Sequence, residues 1–523
     1  MIEKIKLNRG WISLNLSIWF GFMSLLFYYT WWFMPQRLTS PFLLFLLLCA
    51  VCYGAVQLAA TWVLYLAANR HSMLWAKQVD ELSLTVDVFV TAFDEDATII
   101  ERCLMAARDM NGEHRTWLLD DARRPELLAL ARSLEVGYLT RQGNIDNKAG
   151  NINAALPRTD GDIVVIFDVD HVPRVEFLQR TLGYFNDPEI GFVQVMLTFA
   201  YQQDSATSKA ASESSLDFYN PASRGADALG AATLVGSNAL IRRSALESID
   251  GYQPGLAEDL ATSIALHATG WHSVYVNEPL APGLAPPDLM AWFAQQFKWS
   301  RGVFELLITK YFHYWPRLTS GQRLTYAVRM TYYWIGLLTA VHLIVPIFLL
   351  FFGNEAGLNS FTNYILHAIP LVLSTLIIRS VALRHHASTS VKTFLETPVY
   401  LQWKPLLLVL GTWPIYTLSW FQALFRVPTG FRPTPKVAAG RGPGLIWVLP
   451  QATAIFLILV GVINNIVRIG GAIHINVWLL LIFAFAALSQ SWIIFLSIKE
   501  SIKNKIAENK VEKKGEPFTY ESL

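Results

Sequence analysis

The sequence predicts a Rossmann-like α/β domain, with a doubly wound parallel sheet, inserted in an α-helical membrane region. Three observations predict it. The 523 residues have a mean hydropathy of +0.34 and are 53% hydrophobic, too apolar for a water-soluble protein of this size. Apolar runs long enough to cross a bilayer stand towards both ends of the chain. Between about 80 and 300 the composition changes to short apolar strands, VDVFVTAF, WLLDD, IVVIFDVD, FVQVML and SVYVN, alternating with helical or loop stretches.

Residues 11–33 and 41–67 are apolar runs separated by MPQRLTS, each longer than the roughly 20 residues a spanning helix needs, so 1–70 reads as a transmembrane hairpin. The first run is rich in Trp and Phe and lacks a small-residue cleavage site, which marks it as an anchor and not a cleaved signal. The α/β domain then occupies 71–305. Apolar runs return at about 325–352, 361–382, 446–468 and 475–497, giving an interface helix and two spans in 306–394 and two further spans in 441–498. Residues 395–427 are apolar but broken by Pro398, Pro405 and Pro414 and carry Lys404; they read as a helix lying in the interface, followed by a loop to 440.

Lys4, Lys6 and Arg9 precede the first span, and Lys499, Lys503, Lys505, Lys510, Lys513 and Lys514 follow the last. Both termini, the tail 499–523 and the α/β domain are therefore expected on the cytoplasmic side of a cell (inner) membrane. A net charge of only +2 gives no bulk attraction to nucleic acid, so none is expected as a partner. Cys49, Cys52 and Cys103 form neither a disulfide framework nor a zinc spacing.

Chemistry concentrates at the predicted strand ends. IVVIFDVDHVP, residues 163–173, is a five-residue apolar run entering Asp168, Asp170 and His171. Alternate residues of an extended chain point the same way, so Asp168 and Asp170 can reach one hard cation, Mg²⁺ or Mn²⁺, beside substrate phosphates. TAFDED ends the first strand with Asp94, and LLDD ends the second with Asp120 and Asp121, carboxylates suited to a base and ribose. NIDNKAGNIN is expected as a loop whose Lys148 and Gly150 approach a diphosphate. Glu258 and Asp259 open a predicted helix, where they can complement its dipole or supply a general base. QQFKWSRG, residues 295–302, offers Trp299 to stack on a sugar and Lys298 and Arg301 near phosphates.

These motifs, in this order, resemble the processive membrane-embedded glycosyltransferases of family 2, and most closely the catalytic subunit of bacterial cellulose synthases. The resemblance spans about 80–440 through LDD, KAGN, FDVDHVP, VGSNALIRR at 235–243, the ED pair, QQFKW and FRPTPK at 431–436. It implies an α/β domain of GT-A type, a UDP-sugar donor, a polysaccharide acceptor and a lipid bilayer around the spans, with accessory export subunits as possible partners. It implies uridine contact for Asp120 or Asp121, a cation at Asp168 and Asp170, the base at Asp259 beside Glu258, and acceptor and pyrophosphate contacts for Gln295 and Trp299. Gly236 and Ser237 are assigned to the acceptor side, and Asp94, Lys148, Lys298 and Arg301 to the donor. Phe431, Thr434 and Lys436 match a gating loop that closes over UDP, with Pro433 where the family has Val.

Two departures stand out. Ala257 replaces the Thr of the family's T-E-D, and Lys298 replaces the Arg of Q-R-x-R-W, which loses a planar fork and makes Arg301 the candidate replacement. The cyclic-di-GMP-binding barrel of cellulose synthases has no counterpart in the roughly 25 residues after the last span. The expected function is inverting, processive transfer from a UDP-sugar, UDP-glucose foremost, onto a β-glucan that crosses the membrane. The alternatives are a chitin-like or mannan-type polymer, a non-processive transferase acting on a lipid carrier, and a transporter with a regulatory domain.

Overall fold

The computed structural model describes residues 9–33, 41–68, 84–200, 205–352, 361–386, 403–430, 435, 445–468 and 477–514. Two long helices, α1 (Arg9–Trp32) and α2 (Pro41–Ala67), precede the α/β domain. Its strands are β1 (Val86–Ala92), β2 (Arg115–Asp120), β3 (Gly137–Leu139), β4 (Ile163–Asp168), β5 (Ile190–Val195), β6 (Phe199–Ala200), β7 (Ala239–Arg242), β8 (His272–Val276) and β9 (Gly283–Leu284). Its helices of nine residues or more are α3 (Ala97–Arg108), α4 (Pro125–Ser133), α5 (Asn147–Ala155), α6 (Ala206–Ser214), α7 (Glu258–Ala268) and α8 (Leu289–Leu306). Beyond it run α9 (Ser320–Thr331), α10 (Ile335–Phe352), α11 (Phe361–His386), α12 (Trp403–Gly411), α13 (Trp413–Leu424), α14 (Leu445–Arg468) and α15 (Val477–Lys514).

Seven strands form one sheet in the order β3-β2-β1-β4-β7-β5-β8, and β6 pairs with β9 apart from it. The sheet is mixed, which corrects the expected parallel topology: β7 runs antiparallel to both β4 and β5, while the other pairs are parallel. Apolar periodicity reports burial and not strand direction. The reversal matters for the site, because it sets the beginning of β7 against the end of β4. Ile163 pairs with Arg242 and Ile166 with Ala239, so two residues further outward stand Asp168 on one strand and Ser237 on the other.

Both faces of the sheet are covered. Val86, Val88, Val90, Val165 and Phe167 join α3 and α4 in one core, and Phe89, Val164, Ile166 and Ile241 join α5 and α7 in another. Ile163 to Phe167 are all fully buried. Each such side chain contributes about 1.5–3 kcal/mol by burial, so the run behind it fixes where β4 ends and Asp168 begins.

Five helices among the described residues are long and apolar enough to cross a membrane: Gly10–Trp32, Pro41–Ala67, Ser320–Phe348, Asn363–His386 and Ile446–Asn464. The remaining expected run, 475–497, overlaps the first part of α15. Among the described residues of 395–427, two short helices stand where a helix broken or kinked by its prolines was expected. Pro405 and Pro414 stand in the first turns of α12 and α13, where a missing N–H breaks no helical bond. Thr412 separates the two, and its hydroxyl accepts from Trp292 Nε1 of α8 at 2.9 Å.

Candidate active site

Polar side chains gather at the carboxyl end of β4. Asp168, Asp170 and His171 each present a donor atom, and these lie within 4.8 Å of one another. β4 ends at Asp168, so a turn and not an extended strand brings Asp170 back. Asp170 Oδ2 accepts from Leu284 N at 3.4 Å, and His171 Nδ1 lies 3.3 Å from Ala281 O. Two carboxylates and an imidazole, with the ring held by a backbone carbonyl, fit a divalent cation of the Mg²⁺ or Mn²⁺ kind. His171 was not among the sequence-predicted ligands; its position directly after D-x-D was the available signal.

Lys148 connects this group to the next. Its Nζ donates to Asp168 Oδ1 and, at 2.8 Å, to Gly236 O. Burial pushes its ammonium pKa down, but Asp168, Glu258 and Asp259 outweigh that and hold it above the ordinary value. The expected KAGN loop is instead the first turn of α5. Gly150 has a packing role there: a Cβ would stand 2.1 Å from Ile145 O and 2.4 Å from Arg141 Nη1.

The antiparallel strand delivers Gly236 and Ser237. Asp168 N donates to Ser237 Oγ at 3.0 Å, and Gly236 has φ of +90° with Asp259 Oδ2 3.6 Å from where its Cβ would be. Gln194 of β5, fully buried, secures this loop by accepting from Val235 N at 3.0 Å and donating to Ser237 O at 2.8 Å. Ser263 of α7 accepts from Leu234 N at 2.7 Å. Neither residue was legible as part of the site, since both sit in ordinary strand and helix patterns.

Glu258 and Asp259 open α7, where the residue before them supplies no side-chain cap. Asp259 Oδ1 accepts from Leu260 N at 2.7 Å. Burial raises the Asp259 pKa from 3.8 to about 7, Glu258 adds to the rise, and the Leu260 N–H, Lys148 and Lys298 oppose it. A carboxylate titrating near neutrality beside two lysines has the properties a general base needs. Lys298 is thus brought to Asp259 by α8. Gly302 permits that approach, for a Cβ there would meet Ala257 N at 2.7 Å. Gln295 is buried on the same helix, and Trp299 is half-buried.

Other expected site residues are engaged elsewhere. Asp120 accepts from Arg124 N at 2.6 Å and Tyr138 OH at 2.9 Å, and Asp121 forms a two-bond fork with Arg141 at 2.6 and 2.8 Å. Arg141 also donates to Ile145 O and Asn147 O, at 2.6 and 2.8 Å, so this pair braces the approach to Lys148. Asp94 is exposed at the end of β1. Arg301 is buried, donating to Glu305 Oε2 at 2.7 Å and to Val427 O at 3.2 Å. A cavity of about 470 Å³ opens there, lined in part by Asp146, Asn147, Leu256, Arg301, Glu305 and Arg426. Phe431, Thr434 and Lys436 lie outside the described residues.

Residues 85–302 match the family model described as Glycosyltransferase like family 2, and the mixed sheet with its acidic edge is a GT-A-like fold. Residues 251–396 match the model described as Cellulose synthase, overlapping the end of the first match. The chain is 33% identical over 342 residues to the cellulose synthase catalytic subunit (UDP-forming) of Pseudomonas fluorescens, covering 64% of this chain and 45% of that protein. It is 34% identical over 297 residues to cellulose synthase 1 of Komagataeibacter xylinus, covering 55% of this chain and 19% of that one. The aligned part is thus under half the length of these relatives. Among solved structures it is similar to the mannosyltransferase PcManGT of Pyrobaculum calidifontis, at 16% identity and a TM-score of 0.44, covering 73% of this chain and 100% of that one.

Proposed function

We propose that the chain is an inverting, processive transferase that moves a sugar from a UDP-sugar, UDP-glucose foremost, onto a growing β-linked polysaccharide. The observation that carries this reading is the bridge made by Lys148 between Asp168 and Gly236 O, with Glu258 and Asp259 close by. It joins a cation-binding edge to a carboxylate of raised pKa. Asp168, Asp170 and His171 would hold the divalent cation, which when bound neutralises charge on the diphosphate leaving group. Lys148 and Lys298 add fixed positive charge near the same place. Asp259 takes the acceptor hydroxyl proton while the new glycosidic C–O bond forms at the anomeric carbon and the bond to the diphosphate breaks. Attack opposite the leaving group inverts that carbon.

The spanning helices support a membrane-embedded enzyme, with the α/β domain on the cytoplasmic side and the product leaving through the helices beside it. Trp299 faces the acceptor and Gln295 the diphosphate of the donor in this reading, and the segment holding Phe431, Thr434 and Lys436 is assigned to closing over UDP. Purified protein in nanodiscs, incubated with each radiolabelled UDP-sugar and Mg²⁺ or Mn²⁺, tests it. Polymer released only by β-specific hydrolases is expected. Transfer confined to a lipid carrier, or no transfer from any UDP-sugar, would refute the proposal.

A further inference from the structure

The helix that carries Gln295, Lys298, Trp299 and Arg301 begins at a contact with α15, the last of the described helices. Ile493 and Leu496 of α15 share one apolar cluster with Leu289, Trp292 and Phe293 of α8 and with Ala210 and Ala211 of α6. One turn further along the same face of α15 stands Glu500. Its Oε1 accepts from Thr207 Oγ1 at 2.5 Å, and its Oε2 accepts from Leu289 N at 3.0 Å.

Leu289 is the first residue of α8, and its N–H is one of the four that a helix cannot satisfy internally. Asp288 satisfies another, accepting from Ala291 N at 2.8 Å. Glu500 therefore adds to the cap of α8 from outside, and once ionised, above the value of about 7 to which burial raises its pKa, it places a negative charge at the positive end of the helix dipole. It also takes a hydroxyl from the first turn of α6. A single half-buried carboxylate thus joins the starts of two helices to the middle of a third.

We propose that Glu500 is a positioning residue: it fixes the start of α8 against α15 and α6, and so sets where Lys298 and Trp299 stand relative to Asp259. The proposal rests on the transferase reading above for its effect on turnover, although the clamp itself can be measured without it. Neither family match extends beyond residue 396, and no sequence motif marks Glu500. Displacing α8 along its axis moves Lys298 and Trp299 together, and a misplacement of about 1 Å at reacting groups costs up to roughly 100-fold in rate.

The test uses full-length Glu500→Gln, Glu500→Asp and Thr207→Val in nanodiscs, assayed well above pH 7 so that the Glu500 and Asp259 carboxyls are both ionised. Glutamine keeps the shape but replaces one accepting oxygen with an NH₂ donor. Glu500→Gln is expected to lower turnover per folded molecule by about 10- to 100-fold and to speed amide exchange over residues 289–292. Glu500→Asp should recover part of both, and Thr207→Val should change exchange less than Glu500→Gln does. Wild-type turnover and wild-type exchange in Glu500→Gln would overturn the proposal. Loss of inserted protein with unchanged turnover per folded molecule would overturn it too, because the role would then be structural alone. Should no UDP-sugar be turned over, the proposed function fails, and the exchange difference at 289–292 alone decides whether the clamp exists.

Discussion

Replacing Asp259 by asparagine should both stabilise the protein at alkaline pH and remove most of its activity. The carboxyl has a pKa raised from 3.8 to about 7, chiefly by burial and next by Glu258. Below pH 3.8 the group is protonated in folded and unfolded chains alike and costs nothing. As pH rises from there to about 7, the unfolded chain releases its proton first, so stability falls across that window. At 1.36 kcal/mol per pH unit the ceiling is about 4 kcal/mol, trimmed by the partial access of Asp259 to water. Asparagine keeps the shape without the charge. Its melting temperature should exceed that of the wild type by a few degrees at pH 8, with the difference vanishing near pH 4. Wild-type turnover at saturating donor should fall as pH drops through about 7, when the base becomes protonated. The asparagine variant should lose that limb along with about 10²- to 10⁴-fold of turnover. Calorimetry against pH and initial rates on folded, inserted protein measure both effects. A variant that melts lower than wild type at pH 8, or that keeps the acid limb, would refute the reasoning.

Asp168→Asn and Asp170→Asn should each abolish Mg²⁺- or Mn²⁺-dependent UDP binding, measured by titration calorimetry, while the melting temperature stays within a few degrees. Lys148→Met removes a charge that lowers the Asp259 pKa, so the acid limb of residual activity should move to higher pH; a limb that stays in place would separate the two groups. Gly236→Ala forces a side chain into φ of +90°, at a cost of about 1–2 kcal/mol, and displaces the loop that meets Asp168. Its turnover should drop with little change in UDP affinity, and equal losses in both would contradict that placement.

What the sequence made legible is what local pattern encodes. The apolar run before Asp168 predicted a buried strand ending in carboxylates, and the acidic pair predicted the first turn of a helix; β4 and α7 have these forms. Strand direction is set by distant pairing, so β7 was invisible as an antiparallel strand although its residues were noticed as a motif. Side-chain engagement was equally hidden. Nothing near Asp121 in sequence says that Arg141 will consume both its oxygens, nor near Arg301 that Val427 O will take one of its N–H groups. Gly150 was assigned to a diphosphate because glycine permits close approach, and the approach proved to be that of Arg141 and Ile145 O. Glu500 lies in a lysine-rich stretch whose polarity masked a buried role.

The reversed strand also has a kinetic consequence. Asp168 and Ser237 are 69 residues apart in the chain, and Lys148 and Gly236 are 88 apart, yet they meet through one antiparallel pairing. Contacts of such separation require closing a long loop before any bond rewards it, and chains rich in them fold slowly. Until β7 inserts between β4 and β5, the edge of each strand that faces β7 is bare to other chains, although β4 can pair with β1 and β5 with β8. The same step that closes those edges brings Gly236 and Ser237 to Lys148 and Asp168. Nascent chains should therefore be most prone to aggregate just before the contacts of Lys148 and Asp168 with this loop first form, with both behaviours changing together when β7 docks.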